Sequence, residues 1–204
     1  MSTPSIFSLR AGILLLVLTS AFLMLSTQAR ADDVTDSIQE ASEAYAQGEH
    51  SAAIESLNYA VQLIQQKKGK GLEALLPVAP EGWSAEEAES TAVGAAMFGG
   101  GVTAERRYTR DGSSVTVQIV TDSPMLQGML ALFSNPMFAS SAGGRLEKIA
   151  GQKVMANYEK DRQSGDYKIA VDNRFLVTVT GEKVSQDEMK AFVEAIDFDA
   201  MKKS

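Results

Sequence analysis

The chain of 204 residues contains no cysteine. Disulfides, thiolate metal centres and thiol nucleophiles are thereby excluded, and stability has to come from packing. Histidine is almost as scarce. His50 is the only one, and one histidine without cysteine does not make an ordinary zinc or haem site. No Gly-x-Ser-x-Gly turn accompanies it, so a serine triad has no frame. Basic side chains are outnumbered by acidic ones, 19 to 26. That balance argues against nucleic acid and against anionic lipid as partners, since both need a basic surface. After residue 25 there is no apolar run long enough to span a membrane.

What is present at the start has three parts. A single positive charge at Arg10 precedes a run of 15 residues, Ala11 to Leu25, which is apolar apart from Thr19 and Ser20, and Ala29-Arg30-Ala31 closes it. This is the layout of a secretory signal peptide over 1–31, with cleavage expected after Ala31 and a bacterial periplasm as the destination. The run is shorter than the roughly 20 residues a spanning helix needs. With no cysteine behind it, a lipid anchor is excluded as well. Arg10 and Arg30 are the only charged residues before Asp32, so the remaining 173 residues carry 17 bases against 26 acids, a net charge of −9.

Those acids are unevenly placed. From Asp32 to Gln66 there are seven, and no Lys or Arg. Lys67-Lys-Gly-Lys-Gly71 follows, with Pro77 and Pro80 beyond. The shift predicts a helical part over 32–66, a linker over 67–80 and a second domain over 81–204. In the first part Val34, Ile38, Ala41 and Tyr45 recur at helical spacing, as do Ile54, Leu57, Val61 and Ile64. Gly48 is placed to end the first helix and Ser51 to cap the second. The stretch Tyr45-Ala-Gln-Gly48-Glu-His-Ser-Ala-Ala53-Ile54-Glu-Ser-Leu57-Asn-Tyr-Ala60 carries an aromatic, a turn glycine with an acid, Ala-Ile and a later small residue. Over 37–64 it resembles a single tetratricopeptide repeat. His50 stands where that family often has tyrosine, and the proline after the second helix is missing. The resemblance implies a helical hairpin closed by Ala53 and Ala60. One repeat does not make a solenoid, so its apolar face has to be covered by something else.

From Leu72 the pattern mixes strands and helices. Val102–Tyr108 and Ser114–Thr121 read as strands joined at Arg110-Asp111-Gly112-Ser113, with Val115, Val117 and Ile119 on one face. A helix is expected from Ser123-Pro124 to Asn135-Pro136. Strands follow at Leu146–Ala150, Lys153–Glu159, Tyr167–Val171 and Phe175–Thr180, the last two joined by Asp172-Asn173. A final helix starts at Ser185, with Glu188 completing a capping box and Met189, Phe192, Val193 and Ile196 as the buried stripe. The order β-β-α-β-β-β-β-α defines an α+β fold: an N-terminal helical hairpin, then an antiparallel sheet covered by two helices. Ala79-Pro80-Glu-Gly82-Trp83 resembles the opening of Mog1/PsbP-like domains. That resemblance implies an exported α/β sandwich acting as a non-catalytic binding or assembly module.

Candidate chemistry is sparse. Met125, Met129 and Met137 offer thioethers of the kind that suit copper(I), but Met125, Met129, Leu130 and Phe133 also share helical spacing and read as core. Gly99-Gly100-Gly101 precedes a strand rather than a helix and lacks the Lys-Ser/Thr of a phosphate loop, so it reads as a connector. Arg106 and Arg107 point to opposite faces of one strand and, with Arg110, are expected as solvated edge charges. No catalytic, metal or cofactor residue is assigned. The expected function is that of a non-catalytic periplasmic protein that binds another periplasmic or membrane-associated protein. Asp36, Glu40, Glu43, Glu49 and Glu55 are the candidate partner-facing residues. The alternative is a small-ligand or copper-binding protein with a pocket in the α+β domain.

Export generates a direct prediction. Ala29→Leu with Ala31→Leu should abolish processing, because the peptidase accepts only small side chains there. N-terminal sequencing of the wild-type protein should begin at Asp32. An intact Met1 on protein recovered from the cell envelope would contradict it.

Overall fold

A computed structural model describes residues 32–92, 101–123, 126, 128 and 144–204. The chain divides into two compact units, one ending at Leu57 and the other running Asn58–Ser204. The first is a pair of helices, α1 (Asp33–Ala46) and the beginning of α2 (His50–Glu73). Asp32 caps α1, its side chain accepting from the Thr35 N–H at 3.1 Å. Asp33 and Asp36 in the first turn complement the helix dipole. The chain turns at Gly48, which adopts φ +81°. Ser51 does not cap α2 as expected. The helix starts two residues earlier than that cap implies, at His50, with Ser51 inside it, and the Glu49 carbonyl accepts the Ala53 N–H at 3.0 Å.

The second unit is α+β. Strands β1 (Ser84–Ala85), β2 (Glu89–Ala92), β3 (Val102–Arg110), β4 (Ser113–Thr121), β5 (Arg145–Ile149), β6 (Gln152–Glu159), β7 (Ser164–Val171) and β8 (Phe175–Glu182) are followed by α3 (Gln186–Glu194) and α4 (Phe198–Lys203). They form one antiparallel sheet in the order β1-β3-β4-β8-β7-β6-β5, with β2 also on β3. The hairpins turn at Asp111-Gly112, Ala150-Gly151 and Asp172-Asn173. The first two are two-residue turns with both residues at positive φ, as the twist of paired strands favours; the third is a three-residue loop, 172–174, with positive φ at Asp172 and Asn173.

Alternation sorts the sheet into two faces. Val115, Val117 and Ile119 of β4, Tyr167 and Ile169 of β7, and Val177 and Val179 of β8 are buried on the inner face. Met189, Phe192 and Val193 of α3 and Phe198 and Met201 of α4 join them in one core. The Ser185–Glu188 capping box fixes the start of α3. On the outer face, cross-strand neighbours form a polar row, Arg107, Thr116, Thr180, Asp166 and Asn157. Next to it Leu176 is buried with Leu126, and the partly buried Ala170 packs against them. Apart from Leu126 and Gly128, the helix expected from Ser123 lies outside the described residues, as do Met125, Met129, Met137 and the signal segment 1–31.

The expected linker begins as helix instead. Lys67, Lys68 and Lys70 are good helix formers, and α2 runs through them to Glu73. The charge shift marks the place where the helix packs on the sheet, and it does not mark a break. Gly69 makes that packing possible: a Cβ there would lie 2.5 Å from the Ser90 hydroxyl oxygen and 2.9 Å from its Cβ. Ser90 donates to the Glu73 carboxylate at 2.5 Å. That bond, then the one from Lys70, holds the Glu73 carboxyl below its ordinary range. Leu72 and Leu76 enter the core, and Pro77 follows.

The two glycines of this helix should therefore respond oppositely to alanine. Gly71 has open space around it, so Gly71→Ala should raise stability by about 0.5–1 kcal/mol through helix propensity. Gly69→Ala should lower it by about 1–3 kcal/mol through overpacking against Ser90. Urea unfolding measures both, and a gain in both variants would contradict the close approach.

Candidate functional site

The arginines expected as edge charges are largely structural. Arg110 stacks on Trp83, 4.5 Å from the ring centroid, and pairs with Glu188. Burial pushes the Glu188 carboxyl up. The Ser185 backbone and hydroxyl bonds, with Arg110, more than offset this and hold it below the usual carboxylate range. Arg106 is half-buried and donates to the Pro77 carbonyl at 3.2 Å, beside the Tyr108 hydroxyl, which donates to the same oxygen at 2.6 Å. The expectation failed because β1 and β2 flank β3, so β3 is not an open edge. Arg107 does face solvent on the outer side. With Ser84, Gly82 and Arg110 it lines a polar hollow of about 630 Å³. A second polar hollow of about 230 Å³ lies between Asn157, Asp166 and Glu182. Among the described residues no group of three His, Asp or Glu side chains is placed to hold a metal ion. No described helix is long and apolar enough to cross a membrane.

Among the described residues an apolar concavity lies in the helical hairpin. It is a groove of about 570 Å³, floored by Ile38, Ala41 and Tyr45 of α1 and by Ala53, Ile54 and Leu57 of α2. Ser42, His50 and the Tyr45 hydroxyl are the polar groups of its lining. At one end the Tyr45 and His50 rings stand 5.5 Å apart, tilted by 47°. The groove exists because of which side chains close the hairpin. Ser37, Ala41 and Ala44 form the buried face of α1, and Ala53 is buried on α2. These small residues let the helices approach closely and leave the larger ones outside. Ile38 is 46% exposed, Tyr45 69%, Ile54 60% and Leu57 49%. The large side chains of the two periodic stripes thus stay open, while Ala41 of the first stripe joins the seam.

The five candidate acids lie elsewhere. Asp36, Glu40, Glu43, Glu49 and Glu55 are all exposed, and none lines the groove. At about 100° per residue, Asp36, Glu40 and Glu43 fall on the side of α1 roughly opposite Ile38, Ala41 and Tyr45. Among the described residues none of the five forms an ion pair; Glu43 accepts from the Gln39 amide at 3.0 Å. The groove residues were visible in the sequence as helical periodicity. Their exposure was not, because periodicity does not say which of two adjacent stripes forms the seam. The chain matches no family model, no curated protein and no solved structure.

Proposed function

We propose that this protein is a non-catalytic docking or assembly module of the periplasm, which binds another protein through its helical hairpin. The observation that carries the reading is the open apolar groove of α1 and α2. Large apolar side chains gathered on one exposed face are the ordinary mark of a protein-interaction site. A lone hairpin of tetratricopeptide type has such a face wherever it lacks a following repeat, and the sheet unit, on the Mog1/PsbP-like reading, serves as its carrier. The groove is large enough for a small ligand, but such sites need convergent polar groups that fix orientation. Ser42, His50 and the Tyr45 hydroxyl are few for that purpose.

A photo-reactive amino acid at Tyr45 or Leu57, activated in intact cells, should give a discrete protein adduct. The same residue at Glu105, exposed on the outer sheet face, should give none. Adducts from Glu105 with none from Leu57 would put the binding surface on the sheet and contradict the assignment.

A further inference from the structure

We propose that the occupant of the hairpin groove is an amphipathic helix with a net positive charge. The inference rests on the docking reading above and names the chemistry of the partner.

Shape argues against a two-fold pairing of this groove with its own copy. A two-fold interface sets the same patch against itself, and two concave grooves laid face to face leave their hollows unfilled. A single convex ridge fills one groove of about 570 Å³. The backbone of the partner has to be satisfied before it arrives. Beside the apolar Ile38, Ala41, Ala53, Ile54 and Leu57 the lining offers only Ser42, Tyr45 and His50 as hydrogen-bonding side chains, too few to pair the backbone of a strand, and α1 and α2 use their own N–H and C=O groups internally. An extended segment would therefore desolvate its peptide groups without replacement. A helix carries its bonds within itself and presents apolar side chains at i, i+3, i+4 and i+7.

Charge gives the sign. Residues 32–66 hold seven acids and no Lys or Arg, so the hairpin carries a negative field, with His50 as its one basic side chain. The α1 carboxylates sit across the helix from the groove, about a helix diameter of 10–12 Å away. That is close to the Debye length of about 8–10 Å. They act on approach more than on contact, so they raise the on-rate for Lys- or Arg-bearing helices and slow acidic ones.

The purified protein is titrated with three labelled 18-residue peptides, followed by fluorescence anisotropy. One is a Leu/Lys amphipathic helix, the second replaces every Lys by Glu, and the third keeps the Leu/Lys composition with two central prolines. The Leu/Lys helix should bind at least tenfold more tightly than either of the others. Raising salt should slow its association at least threefold, with dissociation little changed. Leu57→Glu should weaken it at least tenfold. Leu57 is exposed, so the fold is kept, and the added carboxylate would strengthen a purely electrostatic association. Ile54→Glu gives the same test at a second position.

Equal binding of the proline-containing or the Glu peptide would overturn the proposal, as would retention in both variants. A photo-adduct from Leu57 at twice the mass of the chain would make a second copy the occupant. Binding to vesicles of phosphatidylglycerol that Leu57→Glu abolishes would make it a membrane. A protein adduct from Leu57 without peptide discrimination would leave the docking reading standing and defeat the helix chemistry alone.

Discussion

The helical hairpin is closed by side chains no larger than alanine and serine, and that seam determines what its remaining surface is available for. Ser37, Ala41, Ala44 and Ala53 are buried, and together they remove little apolar area from water. A seam of Leu and Ile would bury more, at roughly 25 cal/mol per Å², but it would turn the large side chains inward and leave a polar exterior. Here Ile38, Tyr45, Ile54 and Leu57 remain outside. The hairpin gives up burial of its own and leaves an apolar face exposed.

The sheet unit follows the opposite logic. It turns its β-branched residues inward on β4, β7 and β8 and covers them with Met189, Phe192 and Met201. With neither disulfide nor described metal cluster, cohesion comes from this layer. Two polar groups that reach it are matched: the Tyr108 hydroxyl meets the Pro77 carbonyl, and Arg110 lies between the Trp83 ring and Glu188. Trp83 and Phe192 meet edge to face at 5.0 Å, which ties the chain entering β1 to α3. The outer face keeps its polar row across five strands and is an ordinary solvated antiparallel surface.

Much of this was legible in the sequence because the signals were local. Alternation of Val115, Val117 and Ile119, the short hairpin turns and the Ser185–Glu188 capping box each depend on neighbours a few positions apart. The strands from β3 to β8 and helix α3 were read with ends within about three residues. The missed features depend on distant partners. The strands β1 and β2 are two and four residues long, too short to show a period, and exist because β3 offers them an edge. Gly69 looked like part of a flexible linker, since nothing nearby in sequence announces Ser90. Arg110 looked solvated, since Trp83 and Glu188 lie 27 and 78 positions away. In the candidate site the apolar stripes were visible as faces that need cover, but their gathering into one groove was not, because it depends on how two helices pack. The partner-facing acids lie outside the groove lining.

The absence of cysteine makes one measurement unusually clean. Single-cysteine variants at Ile54, Leu57 and, as a reference, Glu105 can be labelled with a small maleimide, both as purified protein and in intact cells. If the hairpin face is open in isolation and occupied in the cell, all three react when purified, whereas in cells Ile54→Cys and Leu57→Cys are protected and Glu105→Cys still reacts. Labelling of Leu57→Cys as fast in cells as in the purified protein would show that nothing docks there and would contradict the account.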